Sequence, residues 1–115
     1  MPYMPSQGDI ILMDFHPQSG HEQTGRRPAL VISNHSFHQY TNLCIVCPIT
    51  TKKTNFPLHL QYESDLIAES EIICEHLITI DFMKRNTSFY EKVSKTLLNA
   101  VIERIYMFLE VEKIK

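Results

Sequence analysis

Two segments of the chain put cationic and hydroxyl side chains where predicted strands begin or end. Residues 20–28 read GHEQTGRRP and carry an acid, an amide and two arginines in a glycine-bounded loop before an apolar run. Residues 47–53 read CPITTKK and end another apolar run with two hydroxyls and two lysines. An arginine and a threonine held at one phosphate would allow metal-free cleavage of RNA, because RNA carries its own nucleophile, the 2′-hydroxyl.

Arg27 is the candidate for charge stabilisation at such a phosphate. The donors of a guanidinium match two phosphate oxygens, and its high pKa makes it a poor base, so it would act as a charge stabiliser and proton donor. The Thr50 hydroxyl can donate to a phosphate oxygen, and Lys52 and Lys53 beside it favour the passage of a phosphate backbone. The alternatives are a solvated loop for Arg27 and strand packing or a solvated turn for the others.

The loop before the arginines offers further candidates. Glu22 could orient Arg27, accept the 2′-hydroxyl proton or bind a base edge, although a surface carboxylate without a role fits equally well. Among six histidines, His21 is the best candidate for acid–base chemistry, since it lies in the arginine loop. Each histidine is also consistent with a structural or solvent-exposed position.

Composition limits the possible functions. The chain has 115 residues, of which 43% are hydrophobic, and this fits one domain over residues 1–115 with a packed core. The formal net charge of -2 argues against a passive nucleic-acid coat protein, which is usually basic. Any RNA contact would therefore use a local basic cluster, drawn from Arg26, Arg27, Lys52, Lys53, Lys84 and Arg85.

The cysteines favour reduced thiols in a core. Their number, three, is odd, and no signal peptide or membrane-spanning run is evident, so we expect a cytoplasmic protein. Cys44, Cys47, Cys74 and His76 superficially suit zinc. However, residues three apart on a strand point to opposite faces, and no glycine knuckle is present. We therefore predict no metal and, with only three glycines, no nucleotide cofactor.

The elements that must position these residues are mostly strands. Short runs rich in β-branched residues, separated by turns, predict a small and strongly curved antiparallel sheet or barrel. The strands are expected at residues 10–15, 28–33, 42–49, 57–61 and 70–80, with a turn of helix at 34–40. After Ser94, a plausible N-cap, apolar residues at helical spacing predict an amphipathic helix of about four turns. Its apolar face would pack in the core or at a dimer interface.

These motifs resemble those of the MazF/PemK-type toxins. The similarity begins at Gly8-Asp-Ile and continues through DFHP at residues 14–17 and GHEQTGRRPALVIS at residues 20–33. It resumes at PIT and FPLH, residues 48–50 and 56–59, and closes with CEHLITID at residues 74–81 and the C-terminal helix. The resemblance covers nearly the whole chain, and the arginine-loop motif is its most specific part.

The resemblance implies a compact SH3-like barrel with a C-terminal helix, of the CcdB/PemK type, forming a homodimer. It implies ribosome-independent and metal-independent cleavage of single-stranded RNA to a 2′,3′-cyclic phosphate and a 5′-hydroxyl, blocked by a cognate antitoxin. Arg27, directly before Pro28, and Thr50 match the catalytic positions. From this resemblance and from the residue chemistry above, we predict that six further residues bind the substrate. They are His21, Glu22, Gln23, Arg26, Thr51 and Lys52.

The chain departs from the family pattern at three positions, and other functions stay open. His21 stands where a small residue is usual, Ile78 stands where many members have a basic residue, and Arg26 is an extra charge beside Arg27, so the choice of Arg27 rests on Pro28. One alternative is a non-enzymatic inhibitor on the same scaffold, like the gyrase poison CcdB, although CcdB lacks the arginine loop. The other is an RNA-binding module that no longer cleaves, which would bind in a salt-dependent way.

Overall fold

The computed structural model describes residues 3–14 and 26–113, and these residues form seven strands and two helices. The strands are β1 (Asp9–Asp14), β2 (Arg26–Val31), β3 (Cys44–Thr50), β4 (Leu60–Tyr62), β5 (Ser70–Ile72), β6 (Ile78–Ile80) and β7 (Ser88–Lys92). The helices are α1 (His35–Thr41) and α2 (Lys95–Leu109). Neither helix has the length and apolar run that a bilayer crossing requires within this part of the chain.

All the observed strand pairs are antiparallel, and the sheet has the order β4-β5-β3-β2-β1-β7. Strand β6 lies outside this order and pairs with β3, which therefore has three neighbouring strands. The first half of β3 pairs with β6 at Cys44–Val46, and its last two residues pair with β5. The sheet is thereby curled into the half-barrel that the sequence predicted.

Alternation along the strands divides the core between the two faces of the sheet. In β2, Leu30 belongs to a cluster that includes residues of α2, whereas Ala29 and Val31 belong to a cluster on the opposite face. Successive residues of a strand point to opposite faces, so the central strands are apolar throughout. The same alternation places Cys44 in one cluster and Cys47 in the other.

Helix α2 covers one face of the sheet, as its periodicity predicted. Val101 and Ile105 are buried in the first cluster, and Leu97, Leu98 and Ile102 pack against it. The last turn differs, because Phe108 and Leu109 are 39% and 63% exposed. The apolar face of the helix is thus core packing over its first three turns and surface at its end.

A buried histidine ties the segment before β1 to the end of β2. His38 in α1 lies with Nε2 2.6 Å from the Ser33 hydroxyl and Nδ1 3.0 Å from the Pro5 carbonyl oxygen. Burial lowers the pKa of His38, so the neutral ring donates from Nδ1 to Pro5 and accepts from Ser33. Ser33 Oγ also accepts from the Ile45 N–H at 2.8 Å. His38 is therefore structural.

Two predictions about the strands are wrong, and one strand was missed. Residues 70–80 form two strands instead of one, because the chain turns at Cys74–Glu75, where the His76 N–H bonds the Ile73 carbonyl at 3.2 Å. The turn contains no glycine, proline or asparagine, so the sequence carries no signal for it. β7 was not predicted at all, since its half-exposed SFYEK pattern is weakly apolar. His59 and His76 also lie outside the strands.

The N-cap of α2 provides a test of this part of the fold. Ser94 Oγ accepts a hydrogen bond from the Leu97 N–H at 3.1 Å. We expect Ser94→Ala to lower the free energy of unfolding by about 1 kcal/mol, because one N-terminal amide loses its acceptor. Urea unfolding would measure the loss, with Ser94→Asp, which keeps an acceptor, as the control. Equal stability of the two variants would contradict the assignment.

Candidate functional site

A groove of about 350 Å³ lies where β2 begins and β3 ends. Both predicted catalytic residues, Arg27 and Thr50, line it. The groove has charged, hydroxyl and apolar walls, contributed by Arg26, Arg27, Pro28, Ile49, Thr50, Thr51, Ile67 and Ser70. Four of the sequence-predicted site residues are thus brought together, although α1 lies between the two strands that carry them.

The register between β2 and β3 explains why Arg27 and Thr50 meet. Ala29 pairs with Pro48 in this antiparallel ladder. Continuing the register by two residues in each strand sets Arg27 opposite Thr50, and a shift of two returns to the same face of the sheet. The residue before a proline is also restricted to extended backbone, which suits Arg27 to the first positions of a strand.

Arg26 is held by the protein itself. Its Nη2 donates to the Ser88 hydroxyl at 2.7 Å and to the Leu12 carbonyl at 3.3 Å. Its Nη1 donates to the Asn86 carbonyl and to Asp14 Oδ1, the latter at 3.4 Å. These four acceptors join the start of β2 to β1 and to the segment leading into β7, so most of the donors of Arg26 are used within the fold.

Arg27 differs from its neighbour. Its side chain is exposed, and within residues 3–14 and 26–113 no group accepts a hydrogen bond or ion pair from its guanidinium. Adjacent strand residues point to opposite faces, so the two arginines are directed differently by the backbone. Of these two arginines, Arg27 is therefore the one whose N–H donors are available to bind an anion in the groove, as far as the described part of the chain shows.

The Thr50 hydroxyl is oriented by the backbone after it. Thr50 Oγ1 accepts a hydrogen bond from the Lys52 N–H at 3.1 Å. A hydroxyl has one hydrogen and two acceptor lone pairs. One lone pair accepts the hydrogen bond from the Lys52 N–H, and the hydroxyl hydrogen is therefore available to donate to an oxygen in the groove.

The two lysines after Thr51 have different environments. Lys53 Nζ lies 2.9 Å from a carboxylate oxygen of Glu69 in an exposed ion pair. Lys52 is exposed and forms no such pair with the residues described here. Within the described residues, Arg27 and Lys52 thus form no ion pair; Arg27 lines the groove, and Lys52 follows Thr51, which also lines it. Of the other proposed cations, Arg85 donates to the Asp14 carbonyl at 3.2 Å.

A buried carboxylate beside Thr50 escaped the sequence analysis. Glu71 pairs with Thr50 across β3 and β5 and is fully buried. Hydrogen bonds from His59 and from the Asn55 N–H lower the pKa of Glu71 to about 2. His59 also contacts Glu75, at 3.0 Å. The sequence feature that could have revealed this carboxylate is a glutamate inside an apolar strand. A buried glutamate requires hydrogen-bond donors from elsewhere in the chain.

Other predicted residues do not join the groove. His21, Glu22 and Gln23 lie outside the described residues. Ile78 packs partly buried against the second core cluster. The three cysteines are buried, and burial raises the pKa of Cys47 to about 12, as expected for core thiols. Residues 3–14 and 26–113 contain no group of three or more His, Cys, Asp or Glu arranged to hold a metal ion.

Comparison with protein families identifies a match over residues 6–109. The matching family is described as PemK-like, MazF-like toxin of type II toxin–antitoxin system. The match includes both edges of the groove and α2. It therefore extends well beyond the arginine loop, the part of the sequence that carries the most specific motif.

Individual relatives agree with this match. The chain is 40% identical over 58 residues to the endoribonuclease toxin MazF of Escherichia coli K12, a segment spanning 50% of this chain and 52% of that protein. It is 30% identical over 108 residues to the endoribonuclease PemK of Escherichia coli, covering 90% of this chain and 80% of that one. A crystal structure of MazE–MazF from Deinococcus radiodurans has a TM-score of 0.85 and 28% identity, covering 96% and 100% of the two chains.

The different environments of the two arginines predict different costs of substitution. We expect Arg26→Ala to lower the free energy of unfolding by roughly 1 kcal/mol, because four hydrogen bonds that join β2 to β1 and to the segment before β7 are lost. Arg27→Ala should change it by less than about 0.5 kcal/mol, as is usual for an exposed side chain without partners. Urea unfolding at neutral pH measures both. An equal loss in the two variants would contradict the division of roles.

Proposed function

Because the chain belongs to the PemK-like, MazF-like toxin family of type II toxin–antitoxin systems, we propose that it is an endoribonuclease toxin. It cleaves single-stranded mRNA at short specific sequences, without a metal ion and without the ribosome. The observation that carries the proposal is the groove in which Arg27 and Thr50 converge while Arg26 is bonded within the fold. Relatives named endoribonuclease, among them MazF and PemK, support the activity.

The proposed reaction is an attack by the 2′-oxygen of RNA on the adjacent phosphorus. The bond from phosphorus to the 5′-oxygen breaks, leaving a 2′,3′-cyclic phosphate and a 5′-hydroxyl. Arg27 neutralises the charge of the phosphorane and protonates the departing oxygen, and Thr50 donates to a phosphate oxygen. Glu22, which lies outside the described residues, is the candidate that the sequence offers as acceptor of the 2′-hydroxyl proton.

Substrate binding is proposed to rest on a few positive charges. The chain carries a net charge of -2, so long-range attraction of RNA is weak, and local contacts must dominate. Lys52 and Thr51 extend the groove from Thr50 and are proposed to contact the RNA backbone. His21, Glu22 and Gln23 are proposed to contact the substrate from the arginine loop, where base edges of single-stranded RNA can be recognised.

The partners proposed for the chain are a cognate antitoxin and a second copy of itself. The similar Deinococcus radiodurans MazF was crystallised with MazE, which supports an antitoxin partner; we propose that this partner covers the RNA groove. Exposed apolar residues on and after the end of α2 support self-association; they are Tyr106, Met107, Leu109 and Val111. Since mRNA is the proposed substrate, the toxin would act in the cytoplasm.

Cleavage of RNA in EDTA is the direct test. Incubating the purified protein with a long mixed-sequence RNA should give discrete cuts bearing 5′-hydroxyl ends. Arg27→Ala should reduce the rate at least about 100-fold, because a preorganised donor at a developing charge is lost. Lys95→Ala, at an exposed position of α2 that does not line the groove, is the control and should retain the activity. Mapping of the 5′ ends also gives the recognition sequence.

Three results would contradict this proposal. Folded protein that binds RNA oligomers without cutting them would indicate a binding module. Protein that leaves RNA whole but inhibits purified gyrase in a supercoiling assay would indicate a non-enzymatic poison. Cutting that requires a divalent ion would contradict the metal-independent mechanism.

The role of the Thr50 hydroxyl can be tested by a nearly isosteric change. We expect Thr50→Val to lower kcat by roughly tenfold or more, because the transition state loses a hydrogen-bond donor while the strand keeps its packing. Thr50→Ser retains the hydroxyl and should stay within a few-fold of the wild type. Single-turnover cleavage of a short RNA measures the difference. A valine variant as fast as the serine variant would remove Thr50 from the mechanism.

A further inference from the structure

We propose that Glu71 and His59 are positioning residues for RNA cleavage, which hold the β3–β4 loop, residues 51–59, in place beside the groove. This proposal rests on the proposed function, since it concerns how the loop that carries Thr51 and Lys52 is presented to RNA. Neither residue lines the groove. Their effect would pass through the backbone of the loop.

Glu71 accepts hydrogen bonds from the middle and the end of the loop and from the strand after it. Its carboxylate accepts from the Thr54 N–H and hydroxyl, both at 3.1 Å, and from the Asn55 N–H at 3.0 Å. Gln61 Nε2 donates at 3.3 Å, and His59 Nδ1 at 2.8 Å. A loop without strand partners must find acceptors for its amides elsewhere, and here one buried side chain supplies them.

His59 links this carboxylate to a second one. The ring has only 8% of its side chain exposed and places Nε2 3.0 Å from Glu75, while Nδ1 faces Glu71 and, at 3.2 Å, the Thr54 hydroxyl. The ring of Phe56 contacts it edge-on at 5.2 Å between centroids. Burial alone would lower the pKa of His59, but the hydrogen bonds to Glu71 and Glu75 raise it above its ordinary value.

The same residue that holds the loop also aligns Thr50. The backbone of Glu71 pairs with Thr50 across β3 and β5, while its side chain reaches Thr54 and Asn55. Asn55 has a positive φ of 57°, a conformation that needs support from its surroundings. Because the Lys52 N–H is bonded to the Thr50 hydroxyl, displacement of the loop would disturb both the basic residue and the hydroxyl.

The charge state of His59 makes the anchoring of the β3–β4 loop depend on pH. As an imidazolium, the ring donates to both carboxylates, whereas the neutral ring has one N–H for two acceptors. A raised histidine pKa means that the stabilisation is complete below its ordinary value of about 6.5 and is lost as pH rises through the raised pKa. The titratable groups that face the ring are Glu71 and Glu75.

The test uses Glu71→Gln and His59→Gln, with Glu63→Gln and His35→Gln as matched controls at exposed positions. In Glu71→Gln, an NH₂ group faces the loop amides in place of an oxygen. We expect amide exchange at Thr54 and Asn55 to accelerate at least about tenfold. KM for RNA should rise roughly tenfold, with kcat changed less than about threefold, because binding by the loop is lost more than the chemistry. The controls should match the wild type in all three quantities.

His59→Gln should give a smaller rise in KM and, unlike the wild type, no further rise as pH increases above about 6.5. The comparison of His59→Gln with the wild type tests the proposal even if Glu71→Gln does not fold. The proposal is overturned if the wild type cuts RNA and both folded variants keep its KM and its amide protection. An inactive wild type would instead be a failure of the proposed function, and accelerated exchange in Glu71→Gln would still be observed if the loop is anchored as described.

Discussion

Strand β3 lies between β2 on one edge and both β6 and β5 on the other, and the geometry of the groove depends on this arrangement. On the β2 side, the Ala29–Pro48 register directs Arg27 towards Thr50. On the other side, β3 exchanges β6 for β5 as it curls, so that Glu71 becomes the neighbour of Thr50. A slip of one residue in the first ladder would send Arg27 to the opposite face from Thr50, which is why the buried apolar alternation also fixes the site.

Adjacent arginines with different partners give the groove its electrostatic character. Arg26 is bonded to Ser88 and to backbone carbonyls across β1 and the approach to β7. Its charge thus serves to join strands at the rim of the sheet. Arg27, one residue later, has the opposite direction along the pleat and an exposed guanidinium. A protein with a net negative charge can in this way offer a single well-directed cation to a phosphate without becoming generally basic.

The sequence identified Arg27 and Thr50 as candidates, and both line one groove, but it did not reveal the elements around them. Arg27 and Thr50 followed from motif chemistry, and the helix after Ser94 followed from apolar periodicity, because both signals are local in the chain. The division of residues 70–80 and the edge strand β7 were missed, since the turn at Cys74–Glu75 lacks turn-forming residues and Phe89 alternates with polar neighbours. The role of Arg26 was equally hidden, because two of its acceptors, Asn86 and Ser88, lie 60 and 62 residues away in sequence.

The hydrogen bonds of Glu71 show a second reason why the sequence pattern did not reveal the surroundings of the groove. A glutamate in an apolar strand is unfavourable by itself, so its position makes sense only with the loop amides and His59 that neutralise it. Those partners come from residues 54–61, on a segment with little regular structure. Backbone pairing would have fixed this loop more rigidly, but it would also have covered the amides and side chains beside Thr50. Holding the loop through one buried carboxylate leaves Thr51 and Lys52 facing outwards, where a substrate backbone can reach them.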